Sequence, residues 1–202
     1  MKMMQTTDKP YHHGDLARVL IDTAMDMLVT EGNWQFTLRE VARRAGVSHN
    51  APYKHFTDKA ALLNELAFIG FDRLYQALLQ AINADSGRFD TDLDAMAQAY
   101  LHFGLQNPAL YHLMFGPDVA AAADLHQEPR AMAPFDLLLD LLRRGQAAGA
   151  VNDRPVRGLA AACWAQLHGL TMLKLDGLLR PEKVGEDAID HALATLRAGL
   201  RM

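Results

Sequence analysis

Between Thr37 and Lys59 the chain reads TLREVARRAGVSHNAPYKHFTDK, and the side chains able to do chemistry crowd into its second half as Ser48, His49, Asn50, Tyr53, Lys54, His55 and Lys59. Asparagine can pair bidentately with adenine, and a lysine or a protonated histidine can donate to guanine. His49, Asn50 and Lys54 are therefore candidates for contact with base edges. Thr37 and Ser48, as helix caps, can turn hydroxyls and first-turn amides toward phosphate, and Arg44 adds a cation to the same footprint. From Gln35 to Lys59, five cations (Arg39, Arg43, Arg44, Lys54, Lys59) stand against two anions (Glu40, Asp58), a local charge of plus three on a chain of net charge -4. Counterion release depends only on residues in the footprint, so this local asymmetry suits duplex DNA despite the acidic whole. An ordinary helical hairpin with a solvated basic face would share the spacing.

The elements that must position these groups can be argued residue by residue. Thr37 is a good N-cap, and Glu40 three positions on completes a capping box. Leu38, Val41, Ala42 and Ala45 follow at helical spacing, which leaves Arg39, Glu40, Arg43 and Arg44 outside. Gly46 stands where the helix needs a residue tolerant of positive φ, and Val47 can bury beneath the corner. Ser48 is expected to cap a second helix from His49 to His55. Pro52 would fall in or just after its first turn, where a missing amide costs least. In a helix-turn-helix, the start of the second helix enters the major groove while the first crosses the backbone.

The stretch VARRAGVSHNAPYKHFTDKAALL resembles the DNA-binding domain of the TetR family of repressors, through Ala45 to Ser48, then Tyr53, His55 and Phe56, then Asp58 and Lys59. The entry Tyr11-His12-His13-Gly14-Asp15-Leu16 and the Ala51-Pro52-Tyr53 variant resemble one branch of that family, named for a Trp, His, Gly pattern that Trp164, His168 and Gly169 reproduce. Weaker similarity continues through Asn107-Pro108, Tyr111 and Met114-Phe115. The resemblance implies that Tyr53, His55 and Lys59 grip the DNA backbone and that Phe56 plugs the core. It also implies a repressor that binds an inverted-repeat operator as a homodimer and is released by a small molecule.

Half of the 202 residues are hydrophobic, and apolar positions recur with helical rather than strand periodicity. An all-α fold is expected, with about nine helices: a three-helix helix-turn-helix domain with a mobile arm over 1–60, and a helical regulatory and dimerisation domain over 61–202. Leu16, Val19, Leu20, Ala24, Met27 and Leu28 line one face of an opening helix that ends at Gly32. Asp58 can cap a long helix from Lys59 toward Ile82, striped by Leu62, Leu63, Leu66, Ile69 and Leu74, which would couple the domains. Asn83 to Asp92 suggests a loop, and Pro117, Pro129 and Pro134 mark a second break. Further helices are expected around Leu93–Leu105, Pro108–Phe115, Phe135–Ala147, Val156–Leu179 and Pro181–Leu200. The residues before Tyr11 suggest neither a signal nor a transit peptide.

From Gly158 to Leu173 no side chain is charged, so that helix is expected to be covered on most of its circumference, yet Gln166 and His168 interrupt it too soon for a membrane span. With the amphipathic helix through Ile189, Leu193, Leu196 and Leu200, it resembles half of a four-helix homodimer interface. Tyr100, Phe103, Tyr111, Met114, Phe115, Met132, Trp164, His168 and Met172 could line a cavity for an effector or could only pack the core. Cys163, the single cysteine, fits a reducing cytoplasm and is expected to act as a small buried hydrophobe rather than a redox sensor. His102, His112, His126, His168 and His191 lack zinc-site spacing, and no phosphate loop or nucleophile elbow appears. No catalysis, cofactor or metal is therefore expected. The alternatives are a helical protein-interaction module, or a metal-responsive regulator if the histidines converge in space.

Overall fold

The computed structural model describes residues 13–83, 88–120 and 125–201. Tyr11, His12 and the arm before them lie outside the described residues, as do 84–87 within the expected Asn83-to-Asp92 loop. Ten α-helices and two short 3-10 turns make up the described residues, with no strand among them. They form two compact units that divide between Leu66 and Ala67.

The N-terminal unit holds α1 (His13–Glu31), α2 (Leu38–Arg44), a 3-10 turn (Pro52–Lys54) and the start of α3 (Lys59–Asn83). Leu16, Leu20, Ala24, Met27 and Leu28 are buried along one face of α1, as the periodicity predicts, with Val19 half-buried, and α2, which packs on α1, buries Leu38 and Val41. Leu62, Leu63 and Leu66 complete that core from α3, whose Ala61 amide donates to the Asp58 carboxylate at 2.8 Å. The capping box of α2 is present: the Glu40 amide donates to Thr37 Oγ1 at 3.2 Å, and the Thr37 amide donates to the Glu40 carboxylate at 2.6 Å. These hydrogen bonds, the backbone one foremost, hold the Glu40 carboxyl below its ordinary range. The support they give is therefore present above about pH 4.5, the ordinary value, and fades as pH falls through the depressed one. Thr37→Ala is expected to cost about 0.5–2 kcal/mol in urea denaturation at neutral pH.

Gly46 ends α2 at φ 70°, and the Val47 amide returns to the Ala42 carbonyl at 3.0 Å. Only glycine adopts that φ without a Cβ penalty. The second helix is shorter than the sequence suggests: in place of His49 to His55 there is one 3-10 turn over Pro52–Lys54. Pro52 has no amide to return to the Ser48 carbonyl, which accepts instead from Ala51 at 2.9 Å. The Lys54 and His55 amides likewise reach back three residues, to Ala51 and Pro52. The cap position is Ala51, with no side-chain cap bond, so Ser48 serves through its carbonyl rather than its hydroxyl.

The C-terminal unit continues with the rest of α3, then α4 (Phe89–Gln106), α5 (Pro108–Phe115), the single turn α6 (Pro117–Ala120), α7 (Pro129–Ala147), α8 (Val156–Leu175), the single turn α9 (Pro181–Val184) and α10 (Ala188–Leu200). Helices α4, α7 and α8 pack on one another, and α10 lies against α4 and α8. Pro134 sits inside α7 rather than before it, one hydrogen bond short, with Pro129 at the helix start where proline fits best. The expected Pro181–Leu200 helix divides because Gly185 turns the chain at φ 84°. α8 stops at Leu175, where the Leu178 amide turns back to the Leu173 carbonyl at 2.8 Å. α10 is fastened by Arg197 to Asp94, by Arg201 to Asp90 at 3.0 Å, and by the Asn152 amide to the Leu200 carbonyl at 2.9 Å.

Candidate functional sites

In the N-terminal unit, the turn from Ser48 to Lys54 is held from beneath and displayed above. Ala51 and Pro52 are buried, as is Phe56 just beyond, while Ser48, His49, Asn50, Tyr53 and Lys54 are exposed. A rigid apolar footing under a run of donors and acceptors presents a fixed pattern to a polyanion. The other sequence candidates stand around it. Thr37 is exposed at the start of α2, and its hydroxyl is engaged with Glu40. Arg44 points to Glu31 at 2.9 Å, a solvent-exposed pair that holds the guanidinium only weakly. Lys59 is half-buried, with its Nζ 5.8 Å from the centre of the Phe36 ring. His55 is half-buried, and its Nε2 is a buried atom without a hydrogen-bond partner among the described residues.

The C-terminal unit holds a half-open cavity of about 500 Å³ between α3, α4, α5, α7 and α8. Its wall is almost wholly apolar: Phe71, Leu74, Met96, Phe115, Met132, Phe135, Leu138 and Leu167 form most of it. Tyr100, Trp164 and His168 supply the polar groups. Among the described residues, no charged side chain lines it. Of the sequence candidates, Tyr100, Phe115, Met132, Trp164 and His168 reach the wall. Phe103, Tyr111 and Met114 are buried behind it, and Met172 lies half-buried further along α8.

Tyr111 organises the polar end. Its hydroxyl is 2.9 Å from that of Tyr100 and 2.7 Å from His168 Nδ1, and the Tyr111 and His168 rings stack at 28°. Burial drives these groups toward their neutral forms: it pushes the Tyr100 phenol up to about 12, raises Tyr111 further, and lowers His168. The cavity is thus lined by neutral hydrogen-bonding groups at neutral pH.

Sequence reasoning missed the α3 wall and, Met132 apart, the α7 wall. Phe71, Leu74, Phe135 and Leu138 carry an amphipathic signal, but periodicity identifies a buried face without saying what it faces.

Cys163 is fully buried on α8, and burial pushes its thiol up to about 11. It is expected to resist a thiol-labelling reagent at pH 8 in the folded protein and to react fully once denatured, measured by mass spectrometry. Among the described residues no three His, Cys, Asp or Glu side chains gather as metal ligands, and no helix is long and apolar enough to cross a membrane.

Comparison with known proteins bears on both units. The model for bacterial regulatory proteins of the tetR family matches residues 20–66, and that for the Tetracyclin repressor-like C-terminal domain matches residues 93–196, more than half of the 202-residue chain. An uncharacterized HTH-type transcriptional regulator of Bacillus subtilis (strain 168), YobS, is 22% identical over 187 residues, 91% of each chain. The solved structure of a protein with unknown function from Rhodococcus sp. RHA1 is 33% identical, with a TM-score of 0.79 over 96% of this chain and 100% of that one. A TetR family transcription regulator from Marinobacter aquaeolei VT8 shares the fold at 17% identity, with a TM-score of 0.63 over 93% of this chain and 96% of that one. A capped helix, a glycine corner and an exposed polar turn thus stand within the first matched segment, ahead of the helices of the second: the chain belongs to the TetR family of DNA-binding transcription regulators.

Proposed function

We propose that this protein is a ligand-responsive repressor that acts in the cytoplasm, binds an inverted-repeat operator as a homodimer, and is released when a small molecule enters the cavity of its C-terminal unit. The observation that carries the reading is the Ser48–Lys54 turn, exposed and polar above buried Ala51, Pro52 and Phe56. His49, Asn50 and Lys54 would read base edges there, while Thr37, Ser48, Tyr53, His55 and Lys59 would hold phosphate, with Arg44 joining once Glu31 lets it go.

The dimer is supported by the outer faces of α8 and α10. Ala162 and Ala165 on α8, with Ala194, Thr195, Ala198 and Gly199 on α10, are exposed, and His191 is exposed among them. Two helices that approach closely through such faces make a compact self-complementary interface under two-fold symmetry. Two recognition turns then meet DNA in opposite orientation. A ligand relieves repression only as far as it prefers the non-binding conformation.

Selection from a random pool of duplex DNA tests this reading. The enriched sequence is expected to be an inverted repeat with half-site centres about 34–36 Å apart or a whole number of further turns. Enrichment of a single half-site or of no sequence would contradict it. Sedimentation equilibrium of the protein alone is expected to give twice the mass of one chain.

A further inference from the structure

We propose that the cavity of the C-terminal unit takes an uncharged, largely apolar molecule with one hydrogen-bonding group, such as a hydroxyl or carbonyl, anchored on His168. This deepens the proposed function and rests on it only for the consequence of binding. Three observations carry the ligand class.

First, the size: about 500 Å³ lies within the roughly 300–1,000 Å³ range of small-molecule pockets. Second, charge is missing where an ion would need it. Among the described residues the wall carries neither cation nor carboxylate. The nearest guanidinium in sequence, that of Arg130 beside wall residue Ala131, is held by Asp72 Oδ2 at 3.0 Å from Nε and 2.6 Å from Nη2. A carboxylate or ammonium brought into such a space gives up part of its hydration without a counter-charge to replace it. Two aromatic pairs of the wall meet edge to face, which occupies one ring face of each pair with a neighbour and leaves the wall without a carboxylate to neutralise a cation. Phe71 meets Phe115 edge-on at 85°, and Phe135 meets Trp164 at 76°.

Third, of the three polar side chains in the wall, Tyr100 meets Trp164 and Tyr111, which leaves His168 as the anchor. His168 Nδ1 is taken by the Tyr111 hydroxyl, which Tyr100 holds in turn. The ring packs on one side against Tyr111, at 28°, and Phe115, whose centre is 4.7 Å away. That leaves Nε2 as the nitrogen able to meet a ligand, on a ring whose orientation the Tyr111 hydroxyl fixes through Nδ1. A hydroxyl suits either tautomer, since it can donate or accept. The burial that lowers the His168 pKa keeps the ring neutral, so it supplies no positive charge to an anion.

Three probes with a ten-carbon chain test the class: decan-1-ol, decanoate and decyltrimethylammonium. The chain has two tryptophans, so in a Trp34→Phe background Trp164, 43% exposed and on the cavity wall, reports occupancy by fluorescence. Decan-1-ol is expected to give a saturable change, with both ions binding at least about tenfold more weakly. His168→Leu is expected to weaken decan-1-ol binding about three- to tenfold. Ala131→Phe, which narrows the cavity away from the polar end, is expected to weaken it at least about tenfold and serves if the first variant does not fold.

A charged probe binding as tightly as the alcohol overturns the proposal. So does the absence of saturation by all three, or unchanged affinity in both variants. Operator binding is measured on the same samples. Release of DNA by decanoate would leave the regulator reading standing while the ligand class falls. A protein that binds no operator yet takes up decan-1-ol would do the reverse.

Discussion

Replacing Tyr111 with alanine is expected to destabilise the C-terminal unit by about 3–5 kcal/mol, the range for removing a large buried aromatic side chain. Tyr111 is fully buried, and its ring meets Tyr100 edge-on at 6.1 Å and Phe115 at 4.9 Å. Its hydroxyl is the shared partner of Tyr100 and His168. Alanine would leave a void and take that partner from buried Tyr100 and half-buried His168, against a total stability of about 5–15 kcal/mol for a domain. Tyr111→Phe separates the two contributions, since it keeps the volume and loses only the hydroxyl, at an expected cost of about 1–3 kcal/mol. Urea denaturation followed by far-UV circular dichroism measures both. An alanine variant within about 1 kcal/mol of the parent would mean that the aromatic cluster is not the organising core of this unit.

The second large effect is on DNA rather than on folding. On the proposed reading, His49→Ala/Asn50→Ala removes two base contacts from each half-site, at about 1–3 kcal/mol for each good contact, so operator affinity is expected to fall at least about 100-fold. Both side chains are exposed, so the melting temperature should barely move. Lys59→Ala, which removes a proposed phosphate contact, is a useful contrast. Loss of a phosphate contact would weaken binding to all sequences alike and lower the salt slope by about one, whereas loss of a base contact would erase discrimination.

The elements around the turn are written in local chemistry, which is why they are legible in the sequence. Thr37 and Glu40 form the capping box that their spacing announces, Gly46 takes the positive φ that only the end of a helix requires, and Gly32 follows α1 as its stripe predicts. The second helix is shorter than its spacing predicts for an equally local reason. Pro52 denies the Ser48 carbonyl its fourth-residue donor, and the backbone tightens into a 3-10 turn. Val156–Leu179 was read too long, and Pro181–Leu200 as unbroken, because apolar periodicity carries across Gly185 and past Leu175 without registering the turns there.

The cavity was legible only in part. Trp164 and His168 share a face at four-residue spacing, and that much follows from one helix. That Tyr111 would stand behind the wall, bonded to His168 across 57 positions of sequence, depends on how α5 meets α8. Nor could one sequence tell that Phe71, Phe135 and Leu138, from helices far apart in the chain, would line the same space. Such pairings are set by packing between helices, to which each amphipathic stripe contributes only an orientation.

The central claim, that the Ser48–Lys54 turn reads an operator, is tested most directly by fluorescence anisotropy on DNA flanking this protein's own gene, at 50 and 200 mM salt, with the His49→Ala/Asn50→Ala variant alongside. The account predicts tight binding to one inverted repeat by the parent protein, falling by orders of magnitude with the added salt. It predicts that the variant keeps only weak binding, equal on the operator and on an unrelated duplex. Binding that ignores salt, or a variant that holds the operator as tightly as its parent, would contradict it.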